Sequence, residues 1–158
     1  MSFITVSADE TTKRTGIITL QGKPLTLLGD TVEVGEKAPD FTALNRVLTP
    51  VSLRDYDGKV RIITSFPSIE TEVCSVQVRR FNQEAAKLDS VQILSVSMDP
   101  PFALDRFCGA HGINKLETLS DKQGDFAKKY GFLIEDLSLL ARGTVIVDKE
   151  GVVRYVEY

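Results

Sequence analysis

Residues 60–74 read VRIITSFPSIETEVC: a run rich in β-branched residues from Val60 to Phe66, a proline at position 67, and a cysteine seven residues later. β-Branched and aromatic side chains fit a pleated sheet, so the run reads as a central strand, and Pro67, with no N–H to offer a neighbour, ends it. From Cys74 the apolar residues Cys74, Val78, Phe81, Ala85 and Leu88 recur at steps of four and three, the stripe of one α-helical face. Strand into helix is then repeated. Val91–Ser97 is a second buried strand, and Met98-Asp99-Pro100-Pro101 leads into a short helix with Leu104, Phe107 and Cys108 on one face. Ser120 and Asp121 can cap a third helix that carries Phe126 and Tyr130 and closes at Gly131.

On the N-terminal side, 16–20 and 24–28 are short apolar runs joined by Gln21-Gly22-Lys23, the pattern of a β-hairpin, and 32–40 is a connecting arm. On the C-terminal side, 144–147 and 152–156 flank Asp148-Lys149-Glu150-Gly151 as a second hairpin. These elements predict one three-layer α/β domain over 16–158, with a mixed central sheet and an N-terminal hairpin; residues 1–15, polar and rich in Ser and Thr, are expected to form a loose leader. The last residue, Tyr158, directly follows a strand, which leaves one sheet face short of a covering helix in this reading.

The composition agrees with that class. At 158 residues with 42% hydrophobic and 26% charged side chains, the chain is long enough for a core that needs no disulfide or metal, and it has neither the bias of a disordered tail nor the runs of a membrane protein. A net charge of −3 without long blocks of either sign argues against nucleic acid. Two widely separated cysteines form neither a zinc knuckle nor a disulfide framework, and the N-terminus lacks the apolar core of a signal peptide, so the expectation is a cytoplasmic protein whose thiols are free for chemistry.

The chemistry is expected at Cys74. With Thr71 as N-cap, Cys74 is the third helical residue, among unpaired N–H groups at the positive end of the helix dipole, where a thiolate is stabilised. The Thr71 hydroxyl is placed to donate to the sulfur or to an incoming oxygen, and Pro67 fixes the chain direction on entry. The plain alternative, a cysteine that merely fills the stripe, applies more strongly to Cys108, whose neighbours Leu104 and Phe107 already make a core face. His111, the single histidine, lacks the companions of a zinc site and reads as a helix-end residue. Arg142, between Leu139-Leu140-Ala141 and the strand from Thr144, is expected at a buried edge and needs an anionic partner, either a carboxylate or the Cys74 thiolate.

Pro67, Thr71 and Cys74 in Pro-x-x-x-Thr-x-x-Cys, Arg79-Arg80-Phe81-Asn82 behind them, Pro101-Phe102-Ala103 leading to Arg106-Phe107-Cys108-Gly109-Ala110, and Leu139-Leu140-Ala141-Arg142 together resemble the thiol peroxidases, an atypical two-cysteine branch of the peroxiredoxins. The resemblance implies a thioredoxin-like fold, Cys74 as peroxidatic and Cys108 as resolving cysteine, and Pro67, Thr71 and Arg142 as active-site residues. It also implies hydroperoxide substrates, an intrachain disulfide recycled by thioredoxin, a homodimer, and no cofactor or metal. This chain differs in carrying Glu70 and Glu72 where the family usually reads Ser-Ile-Asp-Thr-Gly-Val-Cys, so Glu72 is expected to oppose ionisation of Cys74. It also ends where the family usually continues into a C-terminal helix. The rivals are a thioredoxin-like module that stores a disulfide without turnover, and a disulfide oxidoreductase, which the missing Cys-x-x-Cys disfavours.

Overall fold

The computed structural model describes residues 13–20, 22–88 and 90–158. In chain order the elements are β1 (Lys13–Leu20), β2 (Lys23–Leu28), β3 (Thr42–Asn45), β4 (Pro50–Ser52), a 3-10 turn (Leu53–Tyr56), β5 (Val60–Ser65), α1 (Glu72–Ala85), β6 (Val91–Ser97), α2 (Pro101–His111), β7 (Glu117–Ser120), α3 (Asp125–Tyr130), β8 (Leu133–Ile134), β9 (Leu139–Leu140), β10 (Gly143–Val147) and β11 (Val153–Glu157).

Strands β5, β6 and β7 run parallel at the centre of a seven-stranded sheet of order β11-β10-β5-β6-β7-β3-β4, whose remaining strands are antiparallel. Side chains alternate across it. Ile93 packs with Phe66, Cys74, Val78, Leu104 and Cys108 beneath α1 and α2, while Leu94 and Val96 belong with Phe41, Ile63, Leu119, Phe126, Phe132 and Val145 on the opposite face. The mixed sheet with helices on both faces is the expected α/β architecture. On the α1 face, Tyr155 stands opposite Ile146 and remains 43% exposed.

Three details differ from the sequence reading. Strand β1 begins at Lys13, inside the stretch assigned to a leader, because its polar residues make long-range contacts. Lys13 pairs with Glu135 at 2.8 Å, and the Arg14 guanidinium lies 4.3 Å over the Tyr158 ring. Gly16, taken as the start of order, sits instead at a bulge in mid-strand, at φ +83°. Residues 1–12 of the leader, and Gln21 of the turn, lie outside the described residues. Secondly, the hairpin recruits β8 and β9 into a four-stranded antiparallel sheet of its own. Thirdly, helix α1 stops at Ala85, so Leu88 lies beyond it and is exposed.

The third helix is also shorter than its caps suggest. It starts at Asp125 after Gly124, and Asp121 reaches across the intervening turn to accept hydrogen bonds from the N–H groups of Phe126 (2.9 Å) and Ala127 (2.8 Å). Burial pushes the Asp121 carboxyl up to about 6 against the pull of those two amides. Among the described residues, no helix is long and apolar enough to cross a membrane.

Candidate active site

The hydrogen-bond ladder of β5 runs one residue past the strand, where Phe66 N–H donates to Val96 O at 3.2 Å, and stops at Pro67. The chain then turns over the edge of the sheet. Thr71 is extended (φ −83°, ψ 144°) and caps α1, its Oγ1 accepting from Cys74 N–H at 3.4 Å. Cys74 is thus the third residue of α1 and fully buried. The Thr71 hydroxyl, expected to donate to the sulfur or to an incoming oxygen, instead donates to Ser68 O at 3.0 Å, because the tight turn brings that carbonyl directly beneath it. Glu70 and Glu72, flanking the Thr71 cap, are both exposed to solvent.

Arg142 arrives from far along the chain. Ala141 N–H donates to Phe132 O at 2.7 Å, and Ser65 Oγ donates to Ala141 O at 2.7 Å, which ties the segment to the end of β5. Gly143 pairs with Ser65; a Cβ at Gly143 would overlap the Phe132 ring and Glu157 O, so no larger residue fits there. Arg142 Nη2 then lies 3.2 Å from Cys74 Sγ. Of the two partners left open by the sequence, it has taken the sulfur. Arg142 is exposed, however, and not at a buried edge, because its side chain leaves the sheet and lies over the sulfur from the solvent side.

Pro67, Thr71, Cys74 and Arg142 share one cleft of about 450 Å³. Its far wall is apolar: Ile18 and Leu25 from the hairpin, Ile134 and Leu137 from β8 and the turn after it, and Tyr158. Those wall residues were not assigned to the site from sequence. The paired apolar runs of the hairpin gave a hint of a buried face, but nothing local says what that face covers. Guanidinium and helix terminus both direct positive charge at the sulfur, so negative charge developing there, or on an oxygen beside it, meets a donor already in place.

Cys108 lies on α2 in the same core cluster as Cys74, 3% exposed, and both thiols are free. Burial pushes the Cys108 thiol up, opposed by Thr118, whose Oγ1 is 3.3 Å from Sγ, and by the Arg46 guanidinium. Arg46 braces the end of α2 by donating to Asp105 Oδ1 (2.8 Å) and Ile113 O (3.2 Å), and Asn82 Oδ1 accepts from Asn114 N–H and Lys115 N–H. His111 is exposed at the helix end, its ring 4.4 Å from that of Phe107. Among the described residues there is no group of three or more His, Cys, Asp or Glu side chains that could hold a metal ion.

A cysteine in the first turn of a helix, roofed by a guanidinium within an apolar cleft of a thioredoxin-like fold, describes a peroxiredoxin-type site. Residues 34–156 match the AhpC/TSA family. The chain is 52% identical over 142 residues to a thiol peroxidase of Oceanobacillus iheyensis, covering 89% of this chain and 87% of that one, and 51% identical to a thiol peroxidase of Bacillus subtilis, covering 89% and 85%. Among solved structures it is similar to a peroxiredoxin-like protein from Aquifex aeolicus (36% identity, TM-score 0.84, covering 93% of this chain and 86% of that one). The chain belongs to the AhpC/TSA family, among its thiol peroxidases, and is an enzyme of the peroxiredoxin type.

Proposed function

We propose that the enzyme reduces hydrogen peroxide and organic hydroperoxides with Cys74 as the attacking group and Cys108 as its partner. The observation that carries this reading is the 3.2 Å approach of Arg142 to Cys74 Sγ at the N-terminus of α1. The Cys74 thiolate attacks the terminal oxygen of the peroxide; the O–O bond breaks, the leaving hydroxide or alkoxide takes up a proton, and sulfur is oxidised to the sulfenic acid. Arg142 and the first-turn N–H groups hold the peroxide and neutralise charge on its oxygens. Arg142 also covers the sulfur, so substrate enters beneath a guanidinium that, being exposed, is free to change rotamer.

Cys108 then attacks the sulfenic sulfur, water leaves, and an intrachain disulfide forms. Both cysteines are buried in helices, so this step requires local unwinding, for which the left-handed glycine that ends α2, Gly112 at φ +65°, is a ready hinge. A dithiol such as thioredoxin restores the pair by exchange, and the enzyme works as a homodimer in the reducing cytoplasm. The apolar wall of the cleft favours organic hydroperoxides among the substrates.

The test is peroxide consumption coupled to thioredoxin, its reductase and NADPH. Wild type is expected to turn over continuously, Cys74→Ser not at all, and Cys108→Ser to consume about one peroxide per chain and stop with no intrachain disulfide. Undiminished turnover by Cys74→Ser overturns the assignment.

A further inference from the structure

Asp99 follows β6 and stands two residues before α2, yet its carboxylate belongs equally to the loop that precedes α1. Oδ2 accepts from Ile69 N–H at 2.7 Å and from Ser97 Oγ at 2.8 Å, and Oδ1 accepts from Ser68 Oγ at 2.9 Å. The side chain is buried, with 9% exposure, and its oxygens bind three donors. Ser68, held in this way, offers its carbonyl to both the N–H (3.2 Å) and the hydroxyl (3.0 Å) of Thr71, and Thr71 caps Cys74. One unbroken chain of hydrogen bonds therefore leads from the start of the Cys108 helix to the backbone of Cys74.

We propose that Asp99 is a positioning residue that locks the two cysteine-bearing elements in the folded, peroxide-reactive arrangement and must release before the disulfide can form. The proposal rests on Cys74 and Cys108 having the roles given above. The Ser68–Thr71 turn is set by the carboxylate, so losing it loosens the cap and displaces Cys74 relative to Arg142. The same bonds tie the 97–100 segment, from which α2 departs, to the 68–69 segment that leads into α1, so Cys74 and the base of α2 stay in one arrangement while they persist, and the strand end cannot follow α2 as it unwinds from Gly112. Two fates of the sulfenic acid compete: condensation with the Cys108 thiol gives disulfide and water, and reaction with a second hydroperoxide gives the sulfinic acid and water or alcohol. The first needs the unwound form and the second the folded form. Breaking the lock thus slows attack by Cys74 while diverting its product towards the disulfide.

The experiment uses Asp99→Asn and Ser68→Ala in the full chain. Single-turnover reaction with hydrogen peroxide is quenched with dimedone to time sulfenic acid and disulfide separately, and sulfinic acid is measured by mass after turnover at rising peroxide. In Asp99→Asn, sulfenic acid is expected to form roughly ten-fold more slowly, the weight of about one lost hydrogen bond, disulfide formation to keep or exceed its wild-type rate, and sulfination to need several-fold more peroxide. Ser68→Ala, which removes one arm only, shows the same pattern to a lesser degree and decides the matter if Asp99→Asn does not fold. A purely structural Asp99 would lower thermal stability while leaving both rates and the sulfination threshold at wild-type values in the folded variant, and that result overturns the proposal. Cys74→Ser is run alongside: undiminished turnover there defeats the underlying assignment instead.

Discussion

Arg142 sets one Nη2 donor of a planar, charged guanidinium against Cys74 Sγ, and lysine would keep the charge without the planar fork. Arg142→Lys is therefore expected to slow sulfenic-acid formation by at least roughly ten-fold even at a pH high enough to ionise the thiol fully, since the missing donor acts on the transition state. Rapid-quench rates across alkaline pH check it, and a rate equal to wild type would reduce Arg142 to a covering side chain. The residues of the site differed in how far the sequence disclosed them. Thr71 and Cys74 were legible because a cap and the third helical position are local facts of spacing. From its own spacing Arg142 was legible only as a cation in need of a partner, and the family resemblance alone pointed it to the site, since the choice between a carboxylate and the sulfur depended on Gly143 pairing with Ser65. Asp99 escaped entirely: an aspartate before two prolines reads as an ordinary turn, and the amide and hydroxyls it binds come from two separate segments.

Helix α3, six residues long, owes its position to a carboxyl outside it, because Asp121 holds the amides of Phe126 and Ala127 where no side chain of Gly124 could. That carboxyl ordinarily loses its proton near pH 3.8 but is pushed up to about 6 by burial. A raised acid binds its proton more tightly folded than unfolded, so its contribution to stability is complete below about pH 4 and is lost as pH rises to about 6. Urea unfolding of wild type and Asp121→Asn is expected to show wild type losing on the order of 2 kcal/mol relative to the variant over that interval and none above it. Parallel stabilities throughout would mean that the amide bonds fully offset burial. At this scale α1, α2, β5, β6, β10 and β11 were readable from periodicity and turn residues. Strands β8 and β9, two residues each, were not, because such short pieces have no period and exist only by pairing with β2 and with one another.

The cleft lies between the two sheets. Thr71, Cys74 and Arg142 are set by the ends of β5 and β10, whereas Ile18, Leu25, Ile134 and Leu137 hang from the smaller sheet and the turn within it. Leu137 is 43% exposed, so Leu137→Ser should cost little stability while removing apolar contact from a bulky substrate. Its kcat/KM with cumene hydroperoxide is expected to fall about five-fold relative to that with hydrogen peroxide, equivalent to about 1 kcal/mol of lost apolar burial; an unchanged ratio would exclude the wall from substrate choice. The hairpin itself was legible from sequence, but its neighbours in the sheet were not, since β2 meets β8 only once more than a hundred intervening residues have folded. On the proposed reading, reactivity and taste for substrate are inherited from separate pieces of architecture. Evolution, or an engineer, could then redraw the small sheet to admit a different peroxide while the peroxide-reducing machinery of the large one passes unaltered from one variant to the next.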